Sequence, residues 1–284
     1  MGLPQELVDY IVGLLRDDFR TLTACSLTCK SMFASTRPLI HVTLRLTERN
    51  NESILNSKKK WGFHWKSGHD EFRFLSHVAE RGLHHYTQRL DIHDTIISCP
   101  DNLLPHLPNF HRVHTLVIRS YNAFKWASYY KTCFAHFHPT LTSLTLIGPS
   151  GPHRAIMQFA LQFPNLENLC ILAPQEGGEL DPTTVDIDQL PPLSGHLRLD
   201  GILVTWWLGL AHLARALPNG FNFRTVELGV HSMYAVEKIL RSCAHTLEGL
   251  TLVYYSYSAY ILSLLSLALM QLADFRAQRT PRSD

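Results

Sequence analysis

The sequence lacks the features of several common classes of protein. Its 284 residues contain only six cysteines, which is too few for a disulfide scaffold. Charged residues make up 18% of the chain, and 26 basic against 24 acidic residues leave a formal net charge of +2. A dedicated nucleic-acid binder usually carries a concentrated basic surplus. The composition therefore argues against nucleic acid as the main partner.

Sequence motifs for catalysis are also missing. There is no glycine-rich loop of the dinucleotide or nucleoside-triphosphate type and no His-Glu-x-x-His zinc helix. The segment Gly148-Pro149-Ser150-Gly151 does not have the spacing of a nucleophile elbow. The histidine pairs, such as His84 with His85, have no acidic or thiol ligand nearby in the sequence. We therefore expect no catalytic residues, no enzyme activity, no cofactor and no metal site.

Neither secretion nor membrane insertion is predicted. Met1 is followed directly by Gly2-Leu3-Pro4-Gln5-Glu6, without a basic segment and a long apolar run. Residues 249–273 carry no charge and could span a bilayer by length, but they contain several serines and tyrosines. We expect a buried strand followed by a helix there, and a cytoplasmic or nuclear protein with reduced thiols.

Three short helices are predicted within the first 40 residues. Apolar residues recur there at steps of three and four, the spacing of one helix face. On the first helix these are Leu3, Leu7, Ile11, Leu14 and Leu15. Asp17 and Asp18 can cap the second helix. Arg37-Pro38 is predicted to end the third, because the residue before proline avoids helical geometry. So small a unit buries little surface alone, and we expect it to dock on the rest of the chain, on a partner, or on both.

Three motifs stand in the same segment: Leu3-Pro4-Gln5-Glu6-Leu7, Cys25-Ser26-Leu27-Thr28-Cys29-Lys30 and Arg37-Pro38-Leu39. With them the segment resembles an F-box, in particular that of fungal-type F-box proteins with a C-terminal leucine-rich-repeat-like region. Met32 stands where the family usually has tryptophan. The resemblance implies that the segment binds a Skp-type linker protein. The residues implied in linker binding are Leu3, Pro4, Leu7, Ile11, Leu27, Cys29 and Phe33. The alternative is a plain three-helix cap on the structure that follows.

The rest of the chain contains a short apolar repeat: one apolar residue, another three positions later and a third two positions after that. The central residues are Leu116, Leu144, Leu169, Val226 and Leu250, with degenerate copies at Leu90 and Leu197. Successive centres lie 24–29 residues apart, close to the period of leucine-rich repeats. Val42, Leu44 and Leu46 alternate in the same way and predict a first strand. Helices are predicted between strands over residues 123–137, 155–163, 204–217 and 234–244.

The predicted fold class is therefore α/β. An N-terminal three-helix F-box (residues 1–40) is followed by an irregular leucine-rich-repeat-like solenoid (residues 41–284) with a mainly parallel sheet. An irregular insertion is expected at about residues 47–70. The repeat lacks the usual Asn or Cys ladder residue, and an ordinary doubly wound α/β domain remains the alternative fold.

Residues that alternate with the apolar positions of each strand point to the opposite face of the sheet. We expect them to line one concave face that binds a protein substrate. The predicted substrate-binding residues are Asp91, His93, Arg119, Thr145, Cys170, Arg198, Asp200 and Glu227.

By its resemblance, the chain would be the substrate-recognition adaptor of a Skp–cullin–F-box ubiquitin ligase. Its partners would then be the linker, the cullin reached through the linker, and an unknown protein substrate. The alternative function is a non-catalytic solenoid scaffold. A remote third is nucleic-acid binding through the basic and aromatic residues of Lys58–Lys66.

Overall fold

The computed structural model describes residues 3–46, 63–65, 78–93, 104–119, 134–149, 153–174, 194–201, 221–230 and 239–254. The chain divides into two compact units. The first comprises Met1–Arg119 with Cys133–Thr140, and the second comprises Ser120–Thr132 with Leu141–Asp284.

Three helices open the first unit, as the apolar spacing predicts. They are α1 (Gln5–Leu14), α2 (Phe19–Ser26) and α3 (Lys30–Ile40). Asp18 caps α2, and its side chain accepts a hydrogen bond of 3.1 Å from the backbone N–H of Thr21. The buried core of this helical group is Val8, Val12, Leu22 and Ile40, with Leu15, Phe19, Met32 and Leu39 packed against it. Met32 thus contributes to the core.

Helix α3 continues through Pro38 to Ile40, so the prediction that Arg37-Pro38 ends it is wrong. A proline in the last turn removes a single backbone hydrogen bond. Leu39 and Ile40, which follow it, pack on the helical core, and their burial offsets that loss.

The third helix also contacts the strand-bearing part of the same unit. The Arg37 guanidinium donates a hydrogen bond to the backbone carbonyl of Arg81 and lies 5.5 Å from the ring centre of Tyr86. The hydroxyl of Thr87, which is buried, donates to the carbonyl of His41, the residue that ends α3.

The described part of the first unit contains four parallel strands. They are β1 (Thr43–Leu46), β2 (Phe63–Trp65), β3 (Arg89–His93) and β4 (Thr115–Arg119). β1 lies between β2 and β3, and β3 pairs with β4. Strand β2 comes from the segment expected to be an irregular insertion, so that part of the insertion is a strand instead.

The second unit contains five parallel strands within its described residues, and each pairs with the next along the chain. They are β5 (Ser143–Ile147), β6 (Asn168–Leu172), β7 (Ser194–Asp200), β8 (Asn222–Val230) and β9 (Gly249–Tyr254). A doubly wound sheet reverses its strand order at a switch point, whereas these strands keep the chain order. The chain is thus an α/β protein with N-terminal helices and parallel strands stacked as a solenoid.

The predicted repeat centres lie opposite one another in both units. In the first unit, Leu90 and Leu116 form one row, which Leu44 of β1 extends. The corresponding row of the second unit is Leu144, Leu169, Leu197, Val226 and Leu250. All of these centres are buried except Leu250 on β9, which is half-buried. The sequence predicted a buried strand here. β9 is a strand, but its described side chains are half-buried or exposed, so the prediction of burial is wrong.

The segments between strands are less regular than predicted. Helix α4 (His153–Leu161) confirms the helix expected at 155–163, and residues 239–243 are helical within the stretch predicted at 234–244. In the first unit, the connecting segments contain 3-10 turns. Leu83–His85 precedes β3, Leu104–Asn109 precedes β4, and Ala135–Phe137 lies in the last segment of the unit. The helix predicted at 204–217 and most of that at 123–137 lie outside the described residues.

Candidate protein-interaction surfaces

Helix α1 has two apolar faces. Val8, Val12 and Leu15 are spaced at four and three residues and face the helical core. Leu7, Ile11 and Leu14 follow the same spacing one residue earlier and are exposed. One residue corresponds to a rotation of about 100° around a helix, so the second apolar stripe lies beside the first and points to solvent. The sequence pattern had grouped Leu15 with the outer stripe, and the structure separates them.

The exposed large apolar side chains of the described residues are concentrated in the N-terminal helical segment. They are Leu3, Leu7, Tyr10, Ile11, Leu14, Leu27 and Phe33, with Val253 the one member elsewhere. The remaining residues implied in linker binding, Pro4 and Cys29, are exposed as well. Tyr10 and Leu14 are the exposed apolar residues absent from that set. Their spacing of three residues from Leu7 and Ile11 is the signal that could have found them.

Polar contacts fix α1 on α3 and so hold the outer face in place. The Gln5 amide donates to the Ser35 hydroxyl at 2.7 Å, and the Ser31 hydroxyl donates to the Gln5 carbonyl oxygen at 2.5 Å. Ser35 also donates to Asp9 at 2.5 Å. Hydrogen bonds from Ser35 and Gln5 lower the pKa of Asp9. The face of α1 carrying Gln5 and Asp9 therefore lies against α3 and leaves the outer apolar stripe uncovered by that helix.

Cys29 precedes α3 at its N-cap position and exposes its thiol. A hydrogen bond from the backbone N–H of Met32 lowers the pKa of this thiol, since it stabilises the thiolate. Cys25 is half-buried, and Cys243 is buried. Cys29 is thus the described cysteine best placed to report whether a partner covers the F-box-like segment.

In the second unit, four of the predicted substrate-binding residues form one row across neighbouring strands. Thr145, Cys170, Arg198 and Glu227 pair in register on β5, β6, β7 and β8. None of the four is fully buried, and Arg198 is the most exposed. Burial raises the pKa of the Cys170 thiol, and the positive charge of Arg198 opposes that shift.

Arg198 lies between two carboxylates. Its Nε is 3.3 Å from Glu227 Oε1 on the neighbouring strand, and its Nη2 is 4.0 Å from Asp200 Oδ2 on its own strand. All three side chains remain partly accessible to solvent. This group carries one positive and two negative charges.

In the first unit, two of the three predicted substrate-binding residues are buried. Asp91 and His93 are buried, and Arg119 is engaged with Asp91. Because strands β3 and β4 place these side chains in a covered environment, Asp91 does not present its carboxylate to a partner. The face predicted from strand alternation is therefore partly accessible in the second unit and closed at Asp91 and His93 in the first.

Other possible sites contribute little in the described part of the chain. No group of three or more histidine, cysteine or acidic side chains there has the geometry of a metal site. No described helix is long and apolar enough to cross a membrane. Most of Lys58–Lys66 lies outside the described residues, and Phe63–Trp65 pair with β1 through their backbone.

Comparisons with known proteins assign no family to the chain. No protein-family model matches it, and no curated protein matches it.

Proposed function

We propose that the chain is the substrate-recognition adaptor of a Skp–cullin–F-box ubiquitin ligase. The observation that carries the proposal is the outer apolar face of the N-terminal helices. All seven residues that the F-box resemblance implies in linker binding are exposed, while the apolar residues next to them form the helical core.

An apolar face of this kind favours a bound partner over a simple cap. A helical cap would need only the inner stripe of α1, because the inner stripe is the one that contacts the core. Burial of a Leu or Ile side chain contributes about 1.5–3 kcal/mol. Several such residues can therefore supply a stable interface, and contiguous apolar surface on a protein often marks an interaction site.

The substrate would bind on the accessible row of the second unit. Thr145, Cys170, Arg198 and Glu227, with Asp200 beside them, combine small and polar side chains with both signs of charge. Fixed charges on a sheet favour a partner whose surface carries the opposite charges at the facing positions. They disfavour a partner that carries like charges there. The half-buried Ile147 and Leu172 on β5 and β6 would add apolar contact.

The adaptor itself performs no bond-making chemistry. The linker would connect the helical segment to the cullin, while the solenoid holds the substrate. Holding two reactants on one assembly raises their effective concentration, which is how such an adaptor promotes transfer of ubiquitin. The free thiols of the described cysteines fit a cytoplasmic or nuclear location.

Co-purification tests this role in a single experiment. The tagged full-length chain should retain a Skp-type linker and a cullin through washes at moderate salt. A variant with Leu3, Leu27 and Phe33 changed to Ser should lose both while keeping the circular dichroism of the wild type. If neither linker nor cullin co-purifies with the folded wild type, the chain is better explained as a scaffold.

A further inference from the structure

Three arginines of the first unit lie on the same side of the strands as the carboxylate of Asp91. Arg45 on β1 lies opposite Asp91 on β3, and Arg119 on β4 lies opposite His93. Arg89 is two residues before Asp91 and therefore points to the same side of β3. We call Arg45, Arg89 and Arg119 the arginine cluster.

The carboxylate of Asp91 is already used within this group. Arg119 donates to both of its oxygens, with Nε 3.0 Å from Oδ1 and Nη2 3.3 Å from Oδ2. Arg45 Nε lies 3.5 Å from Oδ2, an ion-pair contact without hydrogen-bond geometry. One negative charge is thus set against three positive ones.

Several donors of the group have no acceptor. The Nε atoms of Arg45 and Arg89 are buried donors that make no hydrogen bond. The Nδ1 atom of His93, which donates or accepts according to the tautomer, is also buried and makes no hydrogen bond. Unsatisfied buried polar atoms are uncommon in folded proteins, and each calls for an explanation such as a missing ion. Burial and the neighbouring charges of Arg89 and Arg119 lower the pKa of Arg45, while Asp91 raises it.

Two of the arginine side chains nevertheless remain partly accessible to solvent. The side chains of Arg45 and Arg119 retain 22% and 36% of their accessible surface, whereas that of Asp91 retains 2%. A ligand would therefore meet guanidinium groups and not the carboxylate. Guanidinium groups bind phosphate and carboxylate oxygens through paired, charge-assisted hydrogen bonds.

We propose that the arginine cluster, with His93, is an anion-binding site for a phosphate-sized group. A phosphate monoester carries a charge of about −1.5 to −2 near neutral pH. Together with Asp91, that charge balances the three arginines. The group is either a free oxoanion or a phosphate carried on a polypeptide. The proposal is independent of ubiquitination, since it depends only on contacts within the first unit.

The second unit provides a built-in contrast. In that unit, Arg198 lies between Asp200 and Glu227 on the side of the strands opposite the buried apolar residues. These three side chains carry one positive and two negative charges. The arginine cluster with Asp91 has a net positive charge, whereas the group around Arg198 has a net negative charge. Of these two groups, only the arginine cluster contains buried donors without a hydrogen bond.

Calorimetric titration of the full-length chain tests the site. Inorganic phosphate is titrated at constant ionic strength, and a short Gly/Ala peptide with one phosphoserine is the second probe. Arg89→Gln removes an arginine that makes no ion pair with Asp91 and should weaken binding about tenfold, the loss expected for one charged hydrogen-bond donor. Arg89→Lys keeps the charge without the planar fork and should bind with intermediate affinity. Arg112→Gln, at an exposed position of the first unit outside the cluster, is the control and should bind like the wild type.

The outcomes separate the alternatives. Equal affinity for both probes identifies a free anion as the ligand, and tighter binding of the peptide identifies a phosphate carried on a polypeptide. The proposal is overturned if the folded wild type shows no saturable binding of either probe, or if Arg89→Gln and Arg89→Lys both bind like the wild type.

Discussion

Arg119 on β4 donates two hydrogen bonds to the carboxylate of Asp91 on β3, and that carboxylate is 2% exposed. Strand alternation predicts that Arg119 faces a substrate, but in the structure its guanidinium is engaged with this buried carboxylate. Removing Arg119 leaves Asp91 with Arg45 alone, at 3.5 Å. We expect Arg119→Ala to lower the free energy of unfolding by about 1–3 kcal/mol, the cost of a buried charged group that loses its hydrogen bonds.

Urea-induced unfolding measures this effect, with Arg198→Ala as the matched control. Arg198 is 44% exposed, and its ion pairs at 3.3 and 4.0 Å are open to solvent. Such pairs contribute about 0–1 kcal/mol. Equal unfolding free energies for the two variants would show that the Asp91 pair is not a structural element.

Gly195 is expected to be intolerant of a side chain. Its φ angle is +90°, and the pairing register of β7 with β8 shifts between Gly195 and His196. A Cβ at this position would clash with the carbonyl oxygen of Glu167, to which His196 N–H donates at 2.6 Å. Gly195→Ala should destabilise the second unit by more than about 1–2 kcal/mol, since the left-handed conformation alone costs that much.

Gly13→Ala provides the control, because a Cβ there has no atom within 4 Å. An alanine within a helix is favoured over glycine by about 0.5–1 kcal/mol. The two substitutions should therefore move the thermal midpoint in opposite directions. A Gly195→Ala protein as stable as the wild type would contradict the register shift described for β7.

His41 should make the first unit sensitive to acid. Burial, with a contribution from Arg37, lowers the pKa of His41 from 6.5 to about 4. Between these values the unfolded chain binds a proton that the folded chain does not, so stability falls as pH falls from about 6.5 to about 4. Replacing His41 by Gln should flatten the dependence of the unfolding midpoint on pH over this range. An unchanged slope in the variant would mean that His41 is not a source of the acid sensitivity.

Cys29 should react with thiol reagents faster than Cys243. The Cys29 thiol is exposed and its pKa is lowered, whereas burial raises the pKa of Cys243 to about 11. Mass spectrometry after brief alkylation near neutral pH gives the order of labelling. Addition of the Skp-type linker should protect Cys29 and leave the slow labelling of Cys243 unchanged. If Cys29 is labelled at the same rate with and without bound linker, Cys29 is not part of the linker interface.

The repeat could be predicted because the apolar pattern of each strand lies within a few consecutive residues. Leu116, Leu144 and Leu169 each sit in the same apolar pattern, Leu90 sits in a degenerate copy of it, and a strand buried on one face requires that alternation. The spacing of these residues therefore predicted the parallel register that the structure shows within each unit. The three helices were predictable for the same reason.

The failures of prediction concern contacts between distant residues. Nothing local distinguishes Asp91, which is buried with Arg119, from Asp200, which is half-exposed beside Arg198. His85 and His111 are 26 positions apart in the sequence, yet their ring centres lie 5.3 Å apart. The helical period also could not decide which of Leu7 and Val8 faces the core, since both belong to apolar stripes.

The central claim is that the outer face of α1 binds a Skp-type linker, and a titration of purified linker into the full-length chain tests it most directly. Leu7 and Ile11 are exposed and lie one helical turn apart. Changing both to Asp removes two apolar contacts of about 1.5–3 kcal/mol each, so the affinity should fall more than about 100-fold. Val253→Asp makes the same kind of change at an exposed position of β9 and should leave the affinity unchanged. Tight binding by the wild type and by Val253→Asp, with loss in the double variant, is the result we expect. Equal affinity of the double variant and the wild type, or no binding by the wild type, would contradict the claim.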